Sequence, residues 1–261
     1  VSLESFGEAV HPIRDVKDES VVSLLEAMKP DLLLEAGWSQ RIPKKVLEIP
    51  GLGTIGIHNS LLPKNQGAAS INWALIRDEK EWGVTLFYLA ETIDEGDIIA
   101  QRTYPITDED DVNTLFDKAD ALSVEMLKEV LPQFQSGGVP RTPQNPAEVT
   151  KLSRRSPDDG KIDWHASARE IFNLIRALKK PYPPAFTTLS GKKVLVCDAK
   201  LDSATSPGPG VIESIADEGI VIGASDTSVA VLRLQEEGKE ELSASAFAAH
   251  HGLKTGDNFG S

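Results

Sequence analysis

A histidine and an aspartate lie where an open α/β sheet places reactive groups. His58 ends the run 54–58 (TIGIH), which predicts a buried strand, and a polar loop over residues 59–67 follows it. Asp94 lies in the acidic turn 94–97 (DEGD), after another predicted strand. Open sheets bind ligands at the carboxyl ends of their strands. A carboxylate beside an imidazole orients the ring and favours its protonated form, which suits proton transfer and stabilisation of an oxyanion. Either residue alone is ordinary in a solvated turn, so the hypothesis depends on the pair.

A glycine pattern nearby suggests a different chemistry. Residues 51–56 (GLGTIG) match the G-x-G-x-x-G pattern of dinucleotide-binding loops. Such a loop must follow a strand and open a helix, whose N-terminus receives the pyrophosphate. Here it follows Pro50 and leads into the predicted strand. We therefore expect no dinucleotide here. A nicotinamide oxidoreductase stays open as an alternative function that rests on this glycine pattern alone. A screen for binding of nicotinamide cofactors would test it.

Helix and strand patterns alternate through the first half of the chain. Apolar residues at helical spacing predict helices at 18–28, 43–48, 71–76 and 112–134. Continuous apolar runs predict strands at 31–36, 54–58, 84–90 and 98–104. This alternation predicts an α/β fold with a mostly parallel sheet and helices on its faces.

The pattern changes after the long helix. Residues 136–146 (SGGVPRTPQNP) hold two glycines and three prolines, which is typical of a linker or a surface arm. One helix pattern follows at 166–177, and short strand-like runs lie at 193–197, 210–215, 219–222 and 229–234. Many short strands with turn residues between them predict a small open β-barrel, OB-like in size. We place the border near residue 145, which gives domains 1–145 and 146–261.

Composition and charge narrow the class of protein. The chain has 261 residues, of which 27 are basic and 40 acidic, a formal net charge of −13. No apolar run approaches the roughly 18–20 residues that span a bilayer, so we expect no membrane partner. The single cysteine, Cys197, cannot form an internal disulfide, and no Cys/His spacing typical of zinc is present, so we expect no metal and a cytoplasmic location. The chain opens at Val1 without a typical start, and we expect that the natural amino terminus was removed.

A basic segment interrupts this acidic chain. Residues 151–195 contain ten basic and four acidic side chains, a net +6, so the remainder carries −19. Such a segment favours a phosphate-bearing ligand, either a tRNA backbone or a nucleotide diphosphate. A solvated helix face with outward lysines explains the same pattern, and both interpretations stay open.

Motifs along nearly the whole chain resemble the 10-formyltetrahydrofolate-dependent formyltransferases. In the first half they are residues 56–63 (GIHNSLLP), Gly67, 73–74 (WA), 83–85 (GVT) and the D-x-G-D of 94–97. In the second half they are 159–164 (DGKIDW), 173–176 (NLIR), 181–183 (PYP), 238–239 (GK) and 253–257 (LKTGD). The resemblance is broadest to the members that formylate methionyl-tRNA.

The resemblance implies a fold, a donor and residue roles. The fold would be a Rossmann-like catalytic domain, here without the family's opening strand–helix–strand, followed by the small open barrel. The formyl donor would be 10-formyltetrahydrofolate. His58 would donate to the oxyanion, and Asp94 would hold the ring and help remove the amine proton. The folate would contact Gln40, Arg41, Ile42, Ser60, Leu61, Leu62, Pro63, Gln66, Ala90, Glu91, Thr92 and Ile93, and Trp38 could form a wall for its flat ring or belong to the core.

Three positions depart from the family pattern. Gly56 replaces the catalytic asparagine, Gln66 an arginine and Ser70 a proline. Loss of one oxyanion donor typically costs about 10²–10³ in rate. Asn59 alternates to the other face of the strand and is not an obvious substitute. Beside the nicotinamide oxidoreductase, three functions therefore stay open: formylation of methionyl-tRNA, formylation of an amino sugar on a nucleotide, and folate binding without turnover.

Overall fold

The computed structural model describes residues 10–38 and 40–260. The expectation about the start of the chain lies outside these residues. The chain divides into two compact units, each made of three segments. The first unit comprises Val1–Gln66, Gly83–Arg102 and Leu122–Lys151. The second comprises Gly67–Trp82, Thr103–Ala121 and Leu152–Ser261. The domain border near residue 145 stays a prediction.

The first sheet has four strands in the described residues, in spatial order β1-β2-β3-β4. The strands are β1 Leu33–Glu35, β2 Thr54–His58, β3 Glu81–Tyr88 and β4 Ile98–Pro105. β1 and β2 pair in parallel, whereas β2 and β3 pair antiparallel. The prediction of a mostly parallel sheet was therefore wrong, since the sheet is mixed. A parallel return needs a crossover element packed on the sheet. The helix between β2 and β3, α3 Ser70–Ile76, packs instead against α5 Ala168–Ala177.

Three of the remaining helices follow the predicted order: α1 Glu19–Met28, α2 Lys44–Leu47 and α4 Val112–Ser136. A further helix, α6 Ala244–His251, lies near the end of the chain. α1 ends because Lys29 adopts a left-handed conformation, with φ 48°, just before Pro30. α5 begins at Ser167, whose side chain accepts from the Glu170 backbone while the Glu170 side chain accepts from the Ser167 backbone, a capping box.

The core of the first unit lies between its sheet and one face of α4. Alternate residues of β2, β3 and β4 meet side chains at helical spacing on α4. The buried members are Ile55, Leu86, Tyr88, Ile99, Met126, Val130 and Phe134. This packing fixes β2 and β3, whose ends carry the candidate site.

The second unit contains an open antiparallel sheet. Its strands in the described residues are β5 Ala185–Leu189, β6 Lys192–Asp202, β7 Ile212–Ala216, β8 Gly219–Gly223, β9 Ser228–Glu236 and β10 Glu241–Ser243. They lie in the order β5-β6-β9-β8-β7, with β10 beside β9. The fold class, an α/β part followed by a small open antiparallel part, is confirmed.

Three elements of the second unit were not predicted from the sequence: β5, β10 and α6. The turn between β5 and β6 did carry a signal. Ser190 and Gly191 both have positive φ, 50° and 74°, as a two-residue hairpin turn requires. No helix in the described part of the chain is long and apolar enough to cross a bilayer.

Candidate active site

The structure brings His58 and Asp94 together, as predicted. Nδ1 of His58 lies 3.8 Å from Oδ1 of Asp94, and the two side chains are only 12% and 14% exposed. Nε2 lies 3.0 Å from the carbonyl oxygen of Asn65. Because a carbonyl oxygen only accepts, Nε2 carries the hydrogen, and a second proton on the ring must occupy Nδ1 on the side of Asp94. The pair can therefore hold and release a proton at Nδ1.

The loop after β2 is closed by its own hydrogen bonds. Ser60 Oγ lies 2.9 Å from the carbonyl oxygen of Lys64 and 3.2 Å from that of Asn65. The same Asn65 carbonyl accepts from His58, so the loop fixes the imidazole ring. The orientation of His58 thus follows from the segment immediately after it.

The turn that carries Asp94 is held from several sides. Asp94 has a positive φ of 59°, and its carbonyl oxygen accepts from Gln66 Nε2 at 3.1 Å and from Gln144 Nε2 at 2.7 Å. Gln144 also donates to the Gly96 carbonyl at 2.8 Å. A Cβ atom at Gly96 would lie 1.7 Å from the Tyr88 carbonyl oxygen, so glycine is required there. The carboxylate is therefore placed by a rigid turn.

Gln144 is a site residue that the sequence analysis missed. It lies in the segment 136–146, which we predicted as a linker or surface arm. The segment is irregular and mostly exposed, as a surface arm is, and Thr142 and Ile98 exchange two backbone hydrogen bonds of 2.8 and 3.0 Å that tie it to β4. A single bridged pair leaves no periodic pattern, so glycine and proline content dominated the prediction.

A cavity of about 180 Å³ opens beside Asp94. Seven of the predicted folate contacts line it: Gln40, Arg41, Ile42, Ala90, Glu91, Thr92 and Ile93. Trp38 also lines it and is 37% exposed, so the indole is not a core residue. Arg41 Nε donates to the Glu91 carbonyl at 2.9 Å, which ties together the two sides of the cavity. An apolar wall with polar backbone and side-chain groups suits a flat heterocycle with hydrogen-bonding edges.

The other five predicted folate contacts lie away from this lining. Ser60, Leu62 and Gln66 are buried, and Leu61 and Pro63 are partly buried. The Leu62 amide donates to Thr85 Oγ1 at 3.1 Å, which anchors the loop to β3. Within the described residues Oε1 of Gln66 is buried without a hydrogen-bond partner. Folate contacts by these five residues stay a prediction.

Glu35 is a second site residue that the sequence analysis missed. It lines the cavity, and its Oε1 accepts from the Trp38 amide at 2.5 Å. Burial raises the pKa of the Glu35 carboxyl; the Asp94 charge adds to this, while the Trp38 hydrogen bond and His58 act in the opposite direction. Its signal was a glutamate among the otherwise apolar residues 32–36 (LLLEA) of the predicted strand. The site thus has two carboxylates near one imidazole.

No cluster of three or more histidine, cysteine, aspartate or glutamate side chains able to hold a metal occurs among the described residues. The side chains of His58, Asp94 and Glu35 can transfer protons and stabilise charge.

Comparison with known proteins identifies two matched domains. The formyl transferase family matches residues 7–131, and the formyl transferase C-terminal domain matches residues 154–252. A methionyl-tRNA formyltransferase of Listeria monocytogenes is 37% identical over 239 residues, which cover 91% of this chain and 76% of that protein.

Two solved structures share the fold. HypX from Aquifex aeolicus, in complex with tetrahydrofolic acid, superposes with a TM-score of 0.74 at 24% identity, covering 91% of this chain and 42% of HypX. An N-formyltransferase from Helicobacter canadensis, in complex with folinic acid and dTDP-3-aminofucose, gives a TM-score of 0.61 at 21% identity, covering 76% of this chain and 72% of that one. The matched domains and the shared fold define a group-transfer enzyme. The chain belongs to the formyl transferase family.

Proposed function

We propose that the protein transfers the formyl group of 10-formyltetrahydrofolate to the amino group of methionyl-tRNA. The observation that carries this proposal is that His58 and Asp94 meet beside a cavity lined by seven of the predicted folate contacts. The name of the Listeria relative, which matches over most of both chains, favours methionyl-tRNA as the acceptor.

His58 and Asp94 have distinct roles in this reaction. Attack of the amine on the formyl carbon places negative charge on the formyl oxygen. His58 uses Nε2 to donate to Asn65, and the 3.8 Å gap between Nδ1 and Asp94 is longer than a hydrogen bond. Nδ1–H is therefore available to the developing oxyanion, while the Asp94 carboxylate stabilises the imidazolium through space.

The cavity residues fit the donor. Trp38 offers a flat apolar wall, and the backbone of residues 90–93 offers amide and carbonyl groups to the edges of a pterin. The turn of Asp94 forms one end of the same cavity, so a pterin held there would leave its formyl-bearing part near the reactive pair. Binding in the cavity excludes water from that pair.

Fewer basic side chains of the second unit are available to a phosphate-bearing acceptor than the sequence suggested, because acidic neighbours already pair with some of them. Lys179 is held by Asp111 at 3.2 Å and by Asp198 at 2.8 Å, and Lys180 pairs with Glu241. Within the described residues Arg154 and Lys161 are exposed and form no ion pair. Within the basic segment 151–195, these two side chains are the exposed ones whose charge is available to a tRNA phosphate.

An amino sugar on a nucleotide is the second candidate acceptor. The Helicobacter canadensis enzyme, whose complex contains dTDP-3-aminofucose, shares the fold. Folate binding without turnover is the third candidate function, and Gly56 and Gln66 favour it because they replace family residues. A cytoplasmic location suits all three, since the single cysteine, Cys197, needs no oxidising compartment.

One experiment separates these functions. The intact protein is supplied with 10-formyltetrahydrofolate labelled in its formyl group and, in parallel, with methionyl-tRNA, a nucleotide-linked amino sugar and a simple primary amine. We expect label on methionyl-tRNA, at a rate far above that of a His58→Ala variant. Label on the sugar alone would identify the second acceptor. Retention of folate with no labelled product would identify a binding protein.

A further inference from the structure

We propose that Glu35 is a further catalytic residue, which accepts the proton that the amine loses and returns it to the nitrogen of the donor. This inference rests on the proposed function and deepens it. It assigns the proton transfer to a carboxylate from the neighbouring strand, and it explains how a site with glycine at position 56 can work.

The register of the sheet places Glu35 at the reactive centre. β1 and β2 are parallel, and Glu35 lies directly opposite Gly56. Side chains two residues apart on a strand share a face, so a side chain at position 56 would point to the same side as His58. Glu35 projects to that side as well, since its carboxylate lies in the path of such a side chain.

The carboxylate fills the space that the glycine leaves. A Cβ atom built on Gly56 would lie 3.0 Å from Glu35 Oε2 and 2.7 Å from Leu89 Cδ2. A side chain at position 56 therefore requires the ends of Glu35 and Leu89 to shift from their observed positions. Where the resemblance implies an asparagine, this chain combines a glycine with a carboxylate from the next strand.

The electrostatic surroundings suit a proton acceptor. The titratable groups that act on Glu35 are His58 on β2 and Asp94 in its turn, and Arg41 and Glu91 line the same cavity. Arg41 and Glu91 form an ion pair of 3.8 Å with each other. Burial raises the pKa of Glu35 above that of a free glutamate, which makes its carboxylate a stronger base nearer neutral pH.

The proton balance is complete without another reactant. The lone pair of the amine forms the new C–N bond, and the C=O pair moves to the formyl oxygen, which His58 stabilises. Glu35 Oε2 takes one proton from the attacking nitrogen. When the carbonyl re-forms, the bond from the formyl carbon to the donor nitrogen breaks, and Glu35 gives that nitrogen the same proton. The products are a formamide and tetrahydrofolate, with Glu35 again ionised.

The decisive variant is Glu35→Gln. Glutamine keeps the shape and still accepts from the Trp38 amide through its Oε1, so the loop after β1 keeps its anchor. It cannot accept a proton at this position, so we expect kcat to fall by about 10²-fold or more, the usual value of a positioned acid–base group. KM for the folate should change little. Glu35→Asp keeps an ionisable group and should retain more activity than Glu35→Gln.

The pH profile supplies a second readout. In the wild type kcat should fall as pH decreases through the raised pKa of Glu35, because the protonated acid cannot accept a proton. That acidic limb should disappear in Glu35→Gln. The matched control is Glu26→Gln, which removes an exposed carboxylate of α1 and should leave rate and profile unchanged.

Two outcomes overturn the proposal in different ways. A wild-type protein that binds folate but formylates none of the amines tested refutes the proposed function and the role of Glu35 together. An active wild type whose Glu35→Gln variant keeps both kcat and the acidic limb refutes only the role of Glu35. Circular dichroism and tetrahydrofolate binding by Glu35→Gln confirm that a lost rate is not a lost fold.

Discussion

At the scale of single residues, the proposed reaction depends on the imidazole of His58, which lies between two oxygen atoms. Asn65 accepts from His58 Nε2, and Asp94 supplies negative charge 3.8 Å from Nδ1. Asp94→Asn keeps the shape and removes the charge, so we expect kcat to fall by at least about 10²-fold. His58→Ala should cost as much or more. Single-turnover formyl transfer measures both losses.

The double variant tests whether the two residues act as a unit. Groups that act together are not additive, so Asp94→Asn combined with His58→Ala should be little slower than either single variant. Folate affinity should change much less, because the cavity wall of residues 90–93 is untouched. Fully multiplicative losses, or a near-normal rate for Asp94→Asn, would show that the pair is not the reactive group.

Gly56→Asn introduces the asparagine that the resemblance implies at this position and tests whether that side chain can be accommodated. The new side chain must displace the ends of Glu35 and Leu89, which lie within 3.0 Å of its Cβ atom. We therefore expect a lower kcat than in the wild type. In combination with Glu35→Ala, which empties the space, the asparagine should recover part of the activity as an oxyanion donor. A single variant faster than the wild type would contradict this view of position 56.

At the scale of elements, the turn 94–97 is the least tolerant part of the site. Gly96→Ala would place a carbon 1.7 Å from the Tyr88 carbonyl oxygen, so the backbone itself must move. We expect the free energy of unfolding to fall by about 1–3 kcal/mol or more, with a large loss of kcat because Asp94 moves with the turn. Urea denaturation and steady-state kinetics measure the two effects.

Gly51→Ala is the matched control for that substitution. A Cβ atom at Gly51 meets no atom within 4 Å, so alanine there should change neither stability nor rate appreciably. Equal effects at the two glycines would mean that the turn is not held as the structure indicates.

At the scale of the whole molecule, charge decides how an acidic protein could bind an anionic acceptor. Each phosphate contact releases counterions, so tRNA affinity should fall steeply with salt. Reversal of Arg154 and Lys161 to glutamate should weaken tRNA binding and flatten its salt dependence, with folate binding intact. Reversal of Lys128, an exposed lysine on α4, is the control. Filter binding at several salt concentrations measures the slopes.

The opposite result would also be informative. Salt-independent formylation of a nucleotide-linked amino sugar, with no tRNA retained, would assign the acceptor to the smaller substrate. Substitution of Lys179 should not change acceptor binding in either case, because Asp111 and Asp198 already neutralise its charge.

The sequence by itself determined the order of most elements, both ends of β2, the start of α4, and the positions of His58 at the end of a strand and of Asp94 after one. These features depend on local causes. Apolar periodicity records which face is buried, and turn residues record where a strand stops. Both signals are present within a few residues of the feature that they predict.

Only the tertiary structure decided what surrounds the reactive pair. The register that places Glu35 opposite Gly56, the hydrogen bonds of Gln144 to the Asp94 turn and the antiparallel return of β3 all join residues that are distant along the chain. Periodicity carries no information on which segments pair, since an isolated strand has the same pattern beside any partner. The free energy that selects which strands and loops pair comes from packing the whole core. These features are therefore determined only by the tertiary structure.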